Sequence, residues 1–336
     1  MKLPIVLLLS TLAAAQAPAT ESHFSAIKQL TFGGANAEAY FSPDGSKIVF
    51  QATRDGGKCD QIYLMNSDGS DQHMISSGKG RTTCSFFLPD GKHILYASTH
   101  EGSPDCPPEP DRSKGYLWPV YSTYDIYVAD LTGKITSKFL PTPGYDAEAT
   151  INWKTKKVVF TSVRGGDLDL WTADLDGSHL KQITDKLGYD GGGTMSPDGK
   201  KVVWRGHYPA TPEDQKDYKD KLAQELVAPM KMELWVADSD GKNAKQITDY
   251  GCASFAPAFT ADGKKIIFSS NKNKCDTRYF DLFLINPDGT GLEQITFGGD
   301  FNSFPMFSAD GKKLVFVSNR NAKERYEFNI FVADWK

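Results

Sequence analysis

The chain has 336 residues, 40% hydrophobic and 24% charged, with a formal net charge of −4. That is ordinary globular composition, long enough for a large core or one repeat array. A mildly acidic chain without a Lys/Arg block argues against a nucleic-acid binder.

Residues 1–17, "MKLPIVLLLSTLAAAQA", read as a secretory signal peptide. Lys2 is the basic head, Ile5 to Leu12 the apolar core, and "AAA" or "AQA" the small-residue cleavage site. No cysteine follows at once, so a lipid anchor is not expected, and no later run is apolar enough to span a bilayer. The expected product is periplasmic or secreted, and monomeric. Export makes the five cysteines disulfide candidates, and the odd count leaves at least one unpaired.

After the signal one phrase recurs. "FSPDGSKIVF" (41–50) returns as "FLPDGKHILY" (87–96), "MSPDGKKVVW" (195–204), "FTADGKKIIF" (259–268) and "FSADGKKLVF" (307–316). A worn copy, "INWKTKKVVF" (151–160), has lost the Asp-Gly. Two β-rich runs joined by Asp-Gly read as a hairpin, because Gly accepts the positive φ of the turn. A second hairpin follows in each unit, as in "FDLFLINPDGTGLEQIT" (280–296). Each unit is therefore four short strands, A to D. The turn positions Asp44, Asp90, Lys154, Asp198, Asp262 and Asp310 are spaced 46, 64, 44, 64 and 48 residues apart. The base period suits a four-stranded propeller blade. The long spacings mark B–C insertions at 101–123 and 208–231.

The ends match. The last unit stops at "NIFVADWK" without a D strand, and "AIKQLTFGG" (26–34) resembles the D strand "LEQITFGG" (292–299). The expected fold is all-β: a six-bladed β-propeller over 26–336, its N-terminal strand closing the last blade, with one inserted helix. Closure removes the sheet edges. In the second insertion Thr211 caps that helix, Pro212 suits its first turn, and Tyr218, Leu222 and Leu226 share one face. That face is expected on the propeller or as a lid over the channel.

These repeats resemble the TolB-like propellers, built from the same WD-like "SPDG" blade repeat, and the resemblance covers residues 26 to 335. TolB carries an N-terminal α/β domain before its propeller. The short stretch between signal and first strand here reads as a stand-alone propeller.

The unrepeated residues gather on the face of the D–A connections and B–C loops. Cys84–Cys106 and Cys252–Cys275 are the expected disulfides, leaving Cys59 free, with Cys59–Cys84 as a competing pair. Residues entering the A strands should rim the channel mouth: Arg81, Tyr145, Tyr189 and Phe301, then Asp146 and Asp190, then Glu38 and Glu148. The four carboxylates could hold calcium or another divalent cation through oxygen ligands; loop capping is the plainer reading. Gly191–Gly193 permits close approach of a ligand or a tight bend. His100 and Arg164 lie at B-strand ends, where pairing with polar residues across the B–C loop is the expectation; His100 and His207, at the ends of the B strands that carry the insertions, could instead contribute to a metal site, which would need at least a third ligand. Trp118 in the first insertion is a candidate contact residue.

No GxSxG, HExxH or Gly-rich phosphate loop is present. The expectation is a non-enzymatic module binding an envelope protein, a peptide or a small ligand at the mouth. The alternative is a metal-dependent lyase or hydrolase of the oligogalacturonate-lyase type, whose members use related repeats with a metal.

Overall fold

The computed structural model describes residues 20–336 except 112, 114 and 230; the leader read at 1–17 lies outside them. Six four-stranded antiparallel sheets stand around a central channel. The A strands line it: Ala35–Phe41, Thr82–Phe87, Asp146–Asn152, Tyr189–Met195, Ser254–Phe259 and Asn302–Phe307. Each B and C strand is buried nearly throughout, because neighbouring blades cover both faces. Aromatic pairs fill the middle of several blades, such as Phe50 with Tyr63 and Phe268 with Phe283.

The last blade takes its outer strand from the other end of the chain. Phe24–Gln29 pairs antiparallel with Asn329–Trp335. Phe24 lands on Phe316 and Trp335, each with ring centroids 5.8 Å away.

One hydrogen bond recurs at every junction between blades. The first or second amide of each A strand donates to the carbonyl just ahead of the preceding blade's C strand. The pairs are Asn36 to Phe328 (3.0 Å), Thr82 to Asp60 (2.9 Å), Asp146 to Tyr124 (3.0 Å), Asp190 to Leu168 (2.9 Å), Ser254 to Met232 (2.8 Å) and Asn302 to Phe280 (2.8 Å). All six donors belong to residues at most 1% exposed. Satisfying a buried amide is close to obligatory, so these bonds set the ring's register.

The first insertion places Trp118–Pro119 against Leu226–Val227 of the second, as a two-stranded ribbon. The helix is Pro212–Leu222, capped by the Thr211 side chain on the Asp214 amide. Tyr218 is buried and its hydroxyl donates to the Gly188 carbonyl at 2.7 Å. Leu226 lies past the helix, in the ribbon, rather than on its apolar face. Among the described residues no helix is long and apolar enough to cross a membrane.

Phe24→Ala is expected to cost about 3 kcal/mol, as for other buried Phe truncations. Urea unfolding measures it; an unchanged midpoint would mean the N-terminal strand does not close blade six.

Candidate functional site

Each A strand carries a β-bulge at the same height. In blade one the pairing runs Ala37 with Gln51 and then Tyr40 with Val49, so two residues face one. The same slip occurs in the other five blades. The first residue of each slip has positive φ: Glu38 (48°), Cys84 (53°), Glu148 (58°), Gly192 (60°), Ala256 (51°) and Phe304 (51°). Such backbone costs a non-Gly residue about 1 kcal/mol. The bulges re-aim these six residues, and they line one cavity in the channel.

The ring is lopsided. Blades one to four supply Glu38, Cys84, Glu148 and, across the glycines, Arg205, while blades five and six supply Ala256, Phe304 and prolines. Arg205 comes from a B strand, opposite Gly191. A Cβ on Gly192 would stand 2.1 Å from its guanidinium, so the glycine run makes room for a side chain of this chain. Arg205 pairs with Glu148 of the neighbouring blade, both nearly buried. Tyr189 joins them: Arg205 donates to its hydroxyl at 2.7 Å, and that hydroxyl donates to Glu148 at 3.1 Å. Glu148 also accepts from Thr161 Oγ1 (2.8 Å) and the Gly192 amide (3.0 Å). The Arg205 Nε is buried with no hydrogen-bond partner among the described residues.

Among the described residues Glu38 has no cation of its own in an ion pair. Burial lifts its carboxyl from the ordinary 4.5 to about 7; a hydrogen bond with Cys84 offsets part of this, and the Glu148 charge adds to it. Burial and the same two carboxylates also push the Cys84 thiol well up, which leaves it a poor nucleophile.

The insertions roof this ring. Trp118 stands over the Arg205 guanidinium (5.0 Å) and meets Tyr189 and Phe255 edge-on, at 6.5 and 6.4 Å. From Phe255 an aromatic arc runs through Phe280 and Phe301 to Phe328, each step 4.8–5.7 Å. Arg278 of blade five lies between Tyr116 of the roof and Tyr326 of blade six, 5.6 and 5.4 Å from their rings.

The expected four-carboxylate set does not converge. Glu38 and Glu148 face the lumen, but Asp146 and Asp190 are wholly buried inside their blades. Asp146 accepts from Arg164 at 2.9 Å, and Asp190 from the Trp204 indole and the Tyr208 hydroxyl, each at 2.6 Å. The bulge is the reason, since it breaks the alternation that would put residues 146 and 148 on one face. Among the described residues no three His, Cys, Asp or Glu side chains group to hold a metal. His100 meets Ser98 at 2.8 Å and stacks near Tyr127, whereas His207 faces the Lys231 carbonyl. Arg81 is paired with Glu109 of the insertion, and Tyr145 packs edge-on against Tyr124. Arg164 turns to its own A strand and lies over Phe160 and Trp171, not across the B–C loop to Asp169.

The disulfides are Cys59–Cys106 and Cys252–Cys275, and Cys84 is the free cysteine. The first corrects the Cys84–Cys106 pairing. Cys84 sits on its bulge with the thiol turned to the lumen near Thr83 and Glu38, so Cys106 pairs instead with the loop of blade one. The bond ties the roof to a second blade across 47 residues.

No family model matches the chain, and no curated protein does. Solved structures do. TolB from Acinetobacter baumannii superposes with a TM-score of 0.57 at 17% identity, over 90% of this chain and 64% of that one. The chain thus spans just under two thirds of that relative. A protein assigned as TolB from Agrobacterium tumefaciens gives 0.56 at 17% identity, over 92% and 97%. The fold is that of a TolB-like propeller. An oligogalacturonate lyase in complex with manganese shares it at 0.53 and 14% identity, over 92% and 93%.

Sequence reasoning on this TolB-like propeller missed Arg205. Its signal was present: at the matching B-strand position the other blades have Gln51, Ala97, Thr161, Ser269 and Val317, and only blade four has a full charge, opposite the glycine run.

Arg205→Met is expected to destabilise the TolB-like propeller by about 3–5 kcal/mol, because it strands Glu148 beside Glu38. Adding Glu148→Gln should recover most of the loss in urea unfolding. A second outcome concerns pH. The native state holds the Glu38 proton more tightly than the unfolded chain does. The stability that Glu38 contributes is therefore full below pH 4.5 and is lost as pH rises through about 7. Asp190, raised by burial to about 7, adds to the fall. Glu38→Gln should flatten the decline in chemical denaturation between pH 5 and 8; an unaltered slope would contradict the assignment.

Proposed function

We propose that the chain is an exported, non-enzymatic binding module of the cell envelope, taking a protein or peptide segment, or a small ligand, at its loop-face mouth. The observation that carries this is the roof. Two insertions from blades two and four meet across blade three and hold Trp118 over an acid-lined lumen. Beside it runs the aromatic arc from Phe255 to Phe328. Aromatic anchors around a few placed polar groups are the composition of recognition sites. The free carboxyl of Glu38 suits a cationic group, and the arc suits an apolar neighbour of it. The cavity among the bulge residues holds about 40 Å³. A partner therefore enters it by a side-chain tip.

The alternative, a metal-dependent lyase of the oligogalacturonate-lyase type, needs donors grouped around one point. His100 and His207 are engaged apart from each other and from the lumen acids.

The test is binding of a peptide array to the exported protein. Peptides with Lys or Arg beside an aromatic or aliphatic residue are expected to bind, more tightly at pH 8 than at pH 6, because Glu38 must ionise. Trp118→Ala and Glu38→Gln should each weaken them about tenfold, the scale of one charge-assisted contact. Selection of acidic peptides, or turnover of sugar acids with added manganese, would overturn the reading.

A further inference from the structure

The channel widens away from the roof. Below the bulge ring it opens on the face of the A–B turns into a vestibule of about 340 Å³, far larger than the cavity among the bulge residues. That is within the range of small-molecule sites. Tyr40, Phe86 and Trp153 from blades one to three form an aromatic wall, with Phe86 5.2 Å from Tyr40 and 5.7 Å from Trp153 between ring centroids. Met195, Ala258, Phe259, Met306 and Phe307 from blades four to six line the other side. Trp153 is fixed by its indole N–H, which donates to the Phe87 carbonyl at 2.8 Å.

The lip of this vestibule departs from the repeat at one corner. Five blades place Pro or Ala and then Asp there: Pro43-Asp44, Pro89-Asp90, Pro197-Asp198, Ala261-Asp262 and Ala309-Asp310. Each of those carboxylates accepts hydrogen bonds from its own turn. Four also lie beside a Lys or His. Blade three has Trp153-Lys154 instead. Its turn is closed by Asn152, which accepts the Thr155 amide at 2.9 Å, so position 154 is released from capping. Lys154 is exposed, lines the vestibule and makes no ion pair among the described residues. The corner that gains Trp153 also carries, at its lip, a lysine with no ion pair among the described residues.

We propose that the turn-face vestibule binds a small amphiphilic carboxylate. The apolar body lies between Trp153 and Met306, and the carboxylate meets the Lys154 ammonium. A slot lined by aromatic rings and pliable methionines accepts an extended or flat apolar body. The lone lysine sets both the sign of the head group and its end of the slot. This site lies at the opposite end of the channel from the proposed partner mouth and stands independently of it.

Dodecanoate, below its micellar concentration, is the probe, titrated into the full exported protein by calorimetry with dodecanol as the neutral control. One saturable site is expected. Lys154→Glu should weaken dodecanoate at least about tenfold and leave dodecanol unchanged, since one charge-assisted contact is lost and one repulsion added. Ala261→Trp, which fills the slot from its rim, should weaken both ligands. Trp118→Ala at the other mouth should change neither. Circular dichroism and urea midpoints matching wild type show that each variant is folded. Non-saturable uptake, or dodecanoate binding unchanged by both Lys154→Glu and Ala261→Trp, would overturn the proposal.

Discussion

Each blade hangs on the one before it by a single kind of bond: the buried amide at the top of an A strand, donated to a carbonyl ahead of the neighbouring C strand. An unpaired amide there would have no water to turn to. The bond therefore holds six innermost strands at one height. The bulge then falls at one level in every blade, and six side chains arrive in a common ring. Around the ring the N-terminal strand supplies the outer strand of the last sheet, so that blade too has four strands and the ring is closed by pairing of the two chain ends.

On that frame the repeat supplies symmetry, and the departures supply chemistry. Blade four trades side chains for glycines at 191–193 and so admits Arg205 to Glu148. Blades two and four lengthen their B–C loops, and the two loops meet as a roof over the ring. Blade three gives up its Asp-Gly turn and gains Trp153 and Lys154 at the far mouth. The channel becomes acidic and roofed at one end, apolar and open at the other. The two ends suit unlike ligands.

The electrostatics follow from enclosure. Glu148 is held by an arginine, a tyrosine, a threonine and a backbone amide, while Glu38 shares the lumen with no cation paired to it among the described residues. Where water is scarce the unpaired Glu38 carboxyl retains its proton toward neutrality. Arg205 and Tyr189 sit in contact with Trp118, so the charge network and the roof form one unit.

Much of this was legible in the residues. Asp-Gly spacing is local chemistry, because a hairpin turn needs positive φ wherever it occurs, and five such units with one worn copy imply a ring once the ends match. The positions two places into each A strand, Glu38 and Glu148 among them, could be read from alignment of the copies. Which of the acids near the mouth faced the lumen could not. Strand alternation would turn Asp146 and Glu148 the same way, and the bulge between them depends on pairing with another strand. Cysteine pairing failed on the same point, since Cys84 is turned inward by its bulge and Cys59 is brought to Cys106 by the packing of two blades. The sequence by itself thus determined the blades, their number and their closure, because these rest on short-range turn geometry and strand periodicity. Only the tertiary structure decided what faces the channel, what roofs it and which cysteines meet, because those depend on how one blade is set against the next.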